Sequence, residues 1–179
     1  MLVRGVNLNT EVIGNGDLPV IWTHGLTFSM EAENNMTPYL DWSKVENFAK
    51  VVRYDVRAHG KSEASYDEKD YLWQNLAEDM NELAKNMGFN KFVAAGQSLG
   101  SATAIYSALN NSENIKALIL VTPPTAWETR AAQGHLYTQM AGVVDSHGIE
   151  EFSKMMIGQL DRLLPSSLLD HMEKEGKDP

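Results

Sequence analysis

Ser98 is the residue whose surroundings best suit covalent chemistry. It lies in Gly96-Gln97-Ser98-Leu99-Gly100, after the strand-like run Lys91-Phe92-Val93-Ala94-Ala95 and before the helix-like run Ser101-Ala102-Thr103-Ala104-Ile105-Tyr106. A serine on a sharp strand-to-helix turn presents its hydroxyl above a sheet, where it can attack an electrophilic carbon. Such a turn strains the serine backbone, and side chains two residues before and two after would collide, so glycine is expected at both places. The pattern alone is weak. With glycine and serine each at about 7% of residues, about one chain in twenty of this length shows it by chance.

Two further segments decide its meaning. Leu18-Pro19-Val20-Ile21-Trp22-Thr23 is a short apolar run that ends at the turn His24-Gly25-Leu26. Val51-Val52-Arg53-Tyr54-Asp55 is a second such run, followed by Val56-Arg57-Ala58-His59-Gly60-Lys61-Ser62. Together with the glycine-flanked serine, these segments resemble the alpha/beta-hydrolase superfamily from the first strand to the start of the cap. In that family a His-Gly turn follows the third strand, and an Asp-x-Arg-Gly-x-Gly-x-Ser block follows the fourth. The resemblance implies Ser98 as the nucleophile, with the backbone N–H groups of Leu26 and Leu99 as the oxyanion hole. Each such donor contributes about 3 kcal/mol. Asp55 and Arg57 are expected to form a buried or half-buried polar network that holds the loop. Ala58 stands where the family usually has glycine, so an altered turn is expected there. His24 and His59 read as loop-bracing histidines, because in this fold the base follows the nucleophile in the chain.

The elements that would position these groups follow from periodicity. Met1 to Ile13 reads as two short strands, with Gly14-Asn15-Gly16-Asp17 as the turn before the third. Thr27 to Tyr39 reads as a polar loop. Leu40 to Lys50 reads as a helix with Trp42, Val45 and Phe48 on one apolar face. Tyr71 to Met87 is amphipathic, with Leu72, Leu76, Met80, Leu83 and Met87 at helical spacing. Ile115 to Thr122 reads as a sixth, wholly buried strand stopped by Pro123-Pro124. Alternating strands and helices imply an α/β fold with a mostly parallel sheet. Residues 1–124 form the expected hydrolase core, and 125–179 a partial helical cap. Trp127, Met140, Met155 and Met156 read either as the lining of an apolar acyl or ring pocket or as ordinary packing of cap helices.

Activation of a serine needs a base, and the base needs an acid to orient it. The residues after Ser98 are spent on one helix, one strand and the cap. The last two strands of the family sheet and the catalytic histidine are therefore expected to be missing from this chain. Glu128, just past the sixth strand, is the candidate acid. His135, His147 and His171 are poor candidates for the base, and Asp170 cannot orient His171 because adjacent helical residues diverge. The edge at Ala117 to Val121 is expected to pair with another chain, as a homo-oligomer or with a complementing C-terminal segment, or to be covered by cap residues.

The 179 residues suffice for one sizeable core, with 43% hydrophobic and 22% charged residues. The chain has no cysteine, which excludes disulfides, thiolate metal sites and a cysteine nucleophile. A formal charge of −9 disfavours nucleic acid and anionic membrane as partners. No leader, no membrane span and no metal or organic cofactor is indicated, and a cytoplasmic location is expected. The resemblance implies a serine hydrolase of the esterase, lactonase or cofactor-free perhydrolase type, acting on a small ester or lactone. A serine at the turn argues against the family's dehalogenase and epoxide-hydrolase branches, which use aspartate. The alternative is a catalytically incomplete fragment or ligand-binding module that keeps the pocket without turnover.

Overall fold

Runs of β-branched and small apolar residues build the sheet, and the turns between them carry the chemistry. In a computed structural model, residues 1–36, 40–124 and 127–163 are described. β1 (Leu2–Val3) and β2 (Val6–Asn7) form a separate antiparallel hairpin. Its two turn residues, Arg4 and Gly5, both have positive φ (42° and 85°), which matches the twist of a two-residue hairpin. β3 (Thr10–Ile13), β4 (Leu18–Thr23), β5 (Ala49–Tyr54), β6 (Phe92–Gln97) and β7 (Ile115–Val121) form one sheet in the order β3-β5-β4-β6-β7. β3 is antiparallel to β5, and every other pairing is parallel. The expected mostly parallel α/β sheet is therefore present, with three strands rather than two before Gly14.

Alternate side chains of the strands feed two core clusters. Ile21, Val52, Tyr54, Phe92 and Ala94 pack with Leu76, Met80 and Leu83 of α2 (Trp73–Asn86) and Ala104 of α3 (Leu99–Asn110). Val20, Trp22, Val51, Val93 and Ala95 face the other way, against Leu40, Trp42 and Val45. α2 begins later than its periodicity suggests. Glu68–Tyr71 forms a tight 3₁₀ turn capped by Asp67, and Leu72 is extended and exposed.

Three sequence expectations need correction. The loop from Thr27 contains α1 (Met30–Met36); Ser29 opens it by accepting the Ala32 N–H at 3.1 Å, and residues 37–39 lie outside the described residues. The helix expected over Leu40 to Lys50 is only a 3₁₀ turn at Trp42–Lys44, with Phe48 exposed. Ala49 and Lys50 belong instead to β5 and pair in parallel with Leu18 and Pro19 of β4, and three carbonyls of this stretch hold the turn before β4. Those of Glu46, Ala49 and Phe48 accept from the N–H groups of Asn15, Gly16 and Leu18. Finally, β7 is not wholly buried. It is an edge strand among the described residues, and Leu118, Ile119 and Leu120 are exposed by 39%, 49% and 37%. A continuous apolar run reads as a central strand, yet burial depends on what lies alongside it.

The chain divides into two compact units after Pro124. In the second, α4 (Trp127–Ala132) precedes α5 (Gly134–Leu163), which kinks at Gly148, where φ is 83°. No described helix is long and apolar enough to cross a membrane.

Candidate active site

The sheet order turns back at β4: the chain leaves β4 for β5 on one side and later enters β6 on the other. The carboxyl ends of β4 and β6 thus flank the crevice where ligands of open parallel sheets bind. Both sequence-predicted loops lie there.

Ser98 follows β6 with φ 51° and ψ −107°, a strained conformation for a residue with a side chain. Such strain costs about 1–3 kcal/mol and persists only where the surroundings enforce it. The enforcing contacts are specific. A β-carbon on Gly96 would come within 2.5 Å of the Gly100 backbone, so Gly96 clears the turn itself. A β-carbon on Gly100 would lie 2.0 Å from the Thr23 carbonyl oxygen, so Gly100 lets α3 start directly against β4. The Ser98 N–H donates to the Val121 carbonyl of β7 at 2.9 Å. The buried Ser101 hydroxyl bridges the carbonyls of Gly96 (2.7 Å) and Val121 (2.9 Å). The sequence signal for this role is a hydroxyl among the small residues at the start of the helix.

Across the crevice, a β-carbon on Gly25 would sit 3.6 Å from the Ser98 β-carbon. The His24-Gly25-Leu26 turn therefore borders the serine. Among the described residues, no hydrogen bond occupies the N–H of Leu26 or of Leu99. Leu99 is the first residue of α3, where an N–H has no partner within the helix and the helix dipole is positive.

His24 is fully buried, and its tautomer follows from its partners. Its Nδ1 lies 2.7 Å from the Gly25 carbonyl, which can only accept, so Nδ1 carries the proton. Its Nε2 receives the Val56 N–H at 3.0 Å, so Nε2 is bare. Burial lowers its pKa from 6.5 to about 4, against the opposing pull of the Gly25 hydrogen bond. With both nitrogens committed, His24 braces the loop. His59 is partly buried, with its ring centroid 5.2 Å from that of His24 and its Nδ1 donating to the Arg57 carbonyl at 3.0 Å.

Asp55 and Arg57 are both buried, but they anchor two different networks. Asp55 accepts from the Met30 N–H (2.7 Å), the Asn9 amide (2.8 Å) and the Lys61 N–H (3.0 Å). Burial pushes its carboxyl up, yet the hydrogen bonds from Lys61, Asn9 and Met30 outweigh it and hold the pKa below the usual value. Arg57 instead makes a two-point ion pair with Asp79 of α2, Nε at 2.7 Å and a terminal nitrogen at 2.6 Å. Asp79 went unrecognised, although an acidic residue three positions after Leu76 on an apolar helix face signals a buried partner. Ala58 keeps the left-handed conformation that glycine would favour, at φ 61°.

The remaining candidates are not gathered around Ser98 by any described hydrogen bond. Glu128 is exposed in the first turn of α4. His135 and His147 are exposed, and His135 Nδ1 donates to the Ala132 carbonyl at 2.9 Å. Met155 is exposed, and Met140 and Met156 are partly so. The Trp127 side chain, Asp170, His171 and Met172 lie outside the described residues. No cluster able to hold a metal ion occurs among the described residues.

The model of the alpha/beta hydrolase fold family matches residues 19–171, and the chain belongs to that family. It is 27% identical over 120 residues to a soluble epoxide hydrolase of Corynebacterium sp. (strain C12), covering 67% of this chain and 39% of the relative. It is 27% identical over 136 residues to the sn-1-specific diacylglycerol lipase ABHD11 of Danio rerio, covering 75% of this chain and 41% of the relative. The chain thus spans about two fifths of the length of these relatives. A solved hydrolase from Pseudomonas aeruginosa superposes with a TM-score of 0.73 at 23% identity, over 95% of this chain and 61% of that one, which shows the shared fold.

Proposed function

We propose that the protein hydrolyses small carboxylic esters or lactones through an acyl-enzyme on Ser98. The observation that carries this reading is the strained serine facing the Gly25 turn, with the Leu26 and Leu99 N–H groups unoccupied among the described residues. Ser98 Oγ attacks the carbonyl carbon and its proton passes to a base. The carbonyl oxygen takes the negative charge, which the Leu26 and Leu99 N–H groups stabilise. Collapse expels the alcohol, which leaves with the proton from the base. Water then attacks the acyl-serine with help from the same base, releasing the acid and restoring the hydroxyl.

The nucleophile's chemistry favours esters over the other reactions named among the relatives. Attack of a serine oxygen on the sp³ carbon of an epoxide would leave an ether that water does not readily cleave. Attack on an acyl carbon leaves an ester that water does cleave. The diacylglycerol lipase among the relatives is named for acyl-ester cleavage.

His24 is excluded as the base, because both of its ring nitrogens are committed. A strand-forming segment paired with the open edge of β7, from a second copy or a C-terminal segment, is the proposed partner. The cysteine-free composition suits a cytoplasmic location. The test is turnover of p-nitrophenyl acetate and butyrate. Saturable hydrolysis that falls about a thousandfold or more in Ser98→Ala supports the reading. Absence of turnover in the folded chain favours a pocket retained without catalysis, and equal turnover in Ser98→Ala overturns the assignment.

A further inference from the structure

We infer that Ser101 is a positioning residue for the nucleophile: its buried hydroxyl ties the first turn of α3 to the ends of β6 and β7 and so holds the strained turn that presents Ser98. The inference rests on the proposed role of Ser98 and adds the side chain that keeps its backbone in place.

A hydroxyl inside a helix has a default partner, the carbonyl four residues back. Thr103 takes that of Leu99 at 3.0 Å, Thr138 that of Gly134 at 3.3 Å and Ser153 that of Ile149 at 2.9 Å. Ser101 departs from this pattern. Its Oγ lies 2.7 Å from the Gly96 carbonyl of β6 and 2.9 Å from the Val121 carbonyl of β7, so its one proton is directed out of the helix and into the sheet. Ser101 is fully buried, and a buried hydroxyl is costly unless it is bonded, so the contact is retained.

The two acceptors bracket Ser98. Gly96 lies two residues before it, next to last in β6. Val121 ends β7, and its carbonyl also receives the Ser98 N–H at 2.9 Å, so Ser98 and Ser101 share one acceptor. On its other side, the Ser98 carbonyl accepts the Ala102 N–H at 3.2 Å and starts the helical ladder. The turn from Gly96 to Ser101 is therefore closed by a hydrogen bond across its two ends, with Ser98 at φ 51° inside it. Strained backbone persists only where its surroundings over-determine it. Gly96 and Gly100 give this turn the space to form, and the Ser101 hydroxyl fixes its ends.

The experiment compares two alanine variants of one helix. Ser107 lies six residues further along α3, is also fully buried, and donates its hydroxyl to the Asn81 side chain at 2.6 Å. Ser101→Ala and Ser107→Ala each remove one buried hydroxyl bond from α3, and both are expected to lower the melting temperature. Only Ser101→Ala is expected to lower kcat for p-nitrophenyl butyrate and the rate of phosphonylation of Ser98 by a fluorophosphonate, by about tenfold or more, with KM held within about twofold. The Ser98 amide is expected to exchange with deuterium about tenfold faster in Ser101→Ala than in Ser107→Ala. Ser101→Cys, close in shape but a weaker donor, is expected to fall between alanine and wild type. Wild-type kcat and labelling in folded Ser101→Ala overturn the inference and leave the function intact. So does an equal loss of activity in Ser107→Ala, which would trace the effect to the stability of α3 alone. If Ser101→Ala fails to fold, Ser101→Cys decides, and unchanged labelling with unchanged Ser98 exchange overturns the inference. Absence of any labelling in the wild type overturns the proposed function and this inference with it.

Discussion

Gly100 and Thr23 meet backbone to backbone: a β-carbon on Gly100 would stand 2.0 Å from the Thr23 carbonyl oxygen. This contact ties the first turn of the helix that follows Ser98 to the end of the strand that precedes His24. The two loops of the candidate site are therefore held in register by the absence of one side chain.

Gly100→Ala is expected to destabilise the fold by about 3 kcal/mol, because neither backbone can retreat without breaking sheet hydrogen bonds. Gly142→Ala in α5, where nothing lies within 4 Å, is the control and is expected to stabilise by about 1 kcal/mol. Urea midpoints at constant m-value give both numbers. A Gly100→Ala variant as stable as wild type would contradict the contact.

Ala58→Gly is expected to raise stability by about 0.5 kcal/mol. Left-handed backbone costs a non-glycine residue about 1–2 kcal/mol, offset in part by the larger entropy of glycine in the unfolded chain. The sign distinguishes a strained alanine at φ 61° from a relaxed turn, and thermal melting reads it.

His24 links stability to pH. Its pKa is about 4 in the folded protein against the ordinary 6.5, so the unfolded chain binds the proton more tightly. Above pH 6.5 both states are neutral and His24 contributes nothing. As pH falls from about 6.5 to about 4, stability is lost by about 3 kcal/mol, and the loss levels off below that. The facing groups are His59 and Arg53, which oppose protonation, and Asp55, which favours it. Urea titrations between pH 7 and 4 on wild type and His24→Asn isolate the difference; identical slopes would exclude His24 as the source.

Asp79→Asn leaves Arg57 buried with only Asp70 beside it, at 3.1 Å, and a loss of about 3 kcal/mol is expected. The double replacement Arg57→Met with Asp79→Leu is expected to recover most of it, since the pair also carries a desolvation cost. A double-mutant cycle by denaturation measures the coupling.

How much of this was legible in the sequence depended on how local each cause is. The Ser98 turn was legible because glycine spacing and strand-to-helix context are local. His24 as a loop brace was legible from chain order, but its exact partners were not, since Val56 lies far along the chain. The helix expected over Leu40 to Lys50 is absent because Ala49 and Lys50 pair with β4 and the carbonyls just before and at that strand start hold Asn15, Gly16 and Leu18, demands no local spacing displays. The exposure of Leu118 to Leu120 was hidden for a similar reason: strand neighbours, not composition, set burial. α1 is signalled in the sequence only by Ser29, whose hydroxyl caps its first turn.

Ser98 as a nucleophile is tested by the mass of the intact protein and of its peptides after exposure to a fluorophosphonate. One phosphonyl group is expected, carried on the peptide containing Ser98 and absent from Ser98→Ala. A folded protein that takes no label, or a Ser98→Ala variant that takes the same label, would contradict it.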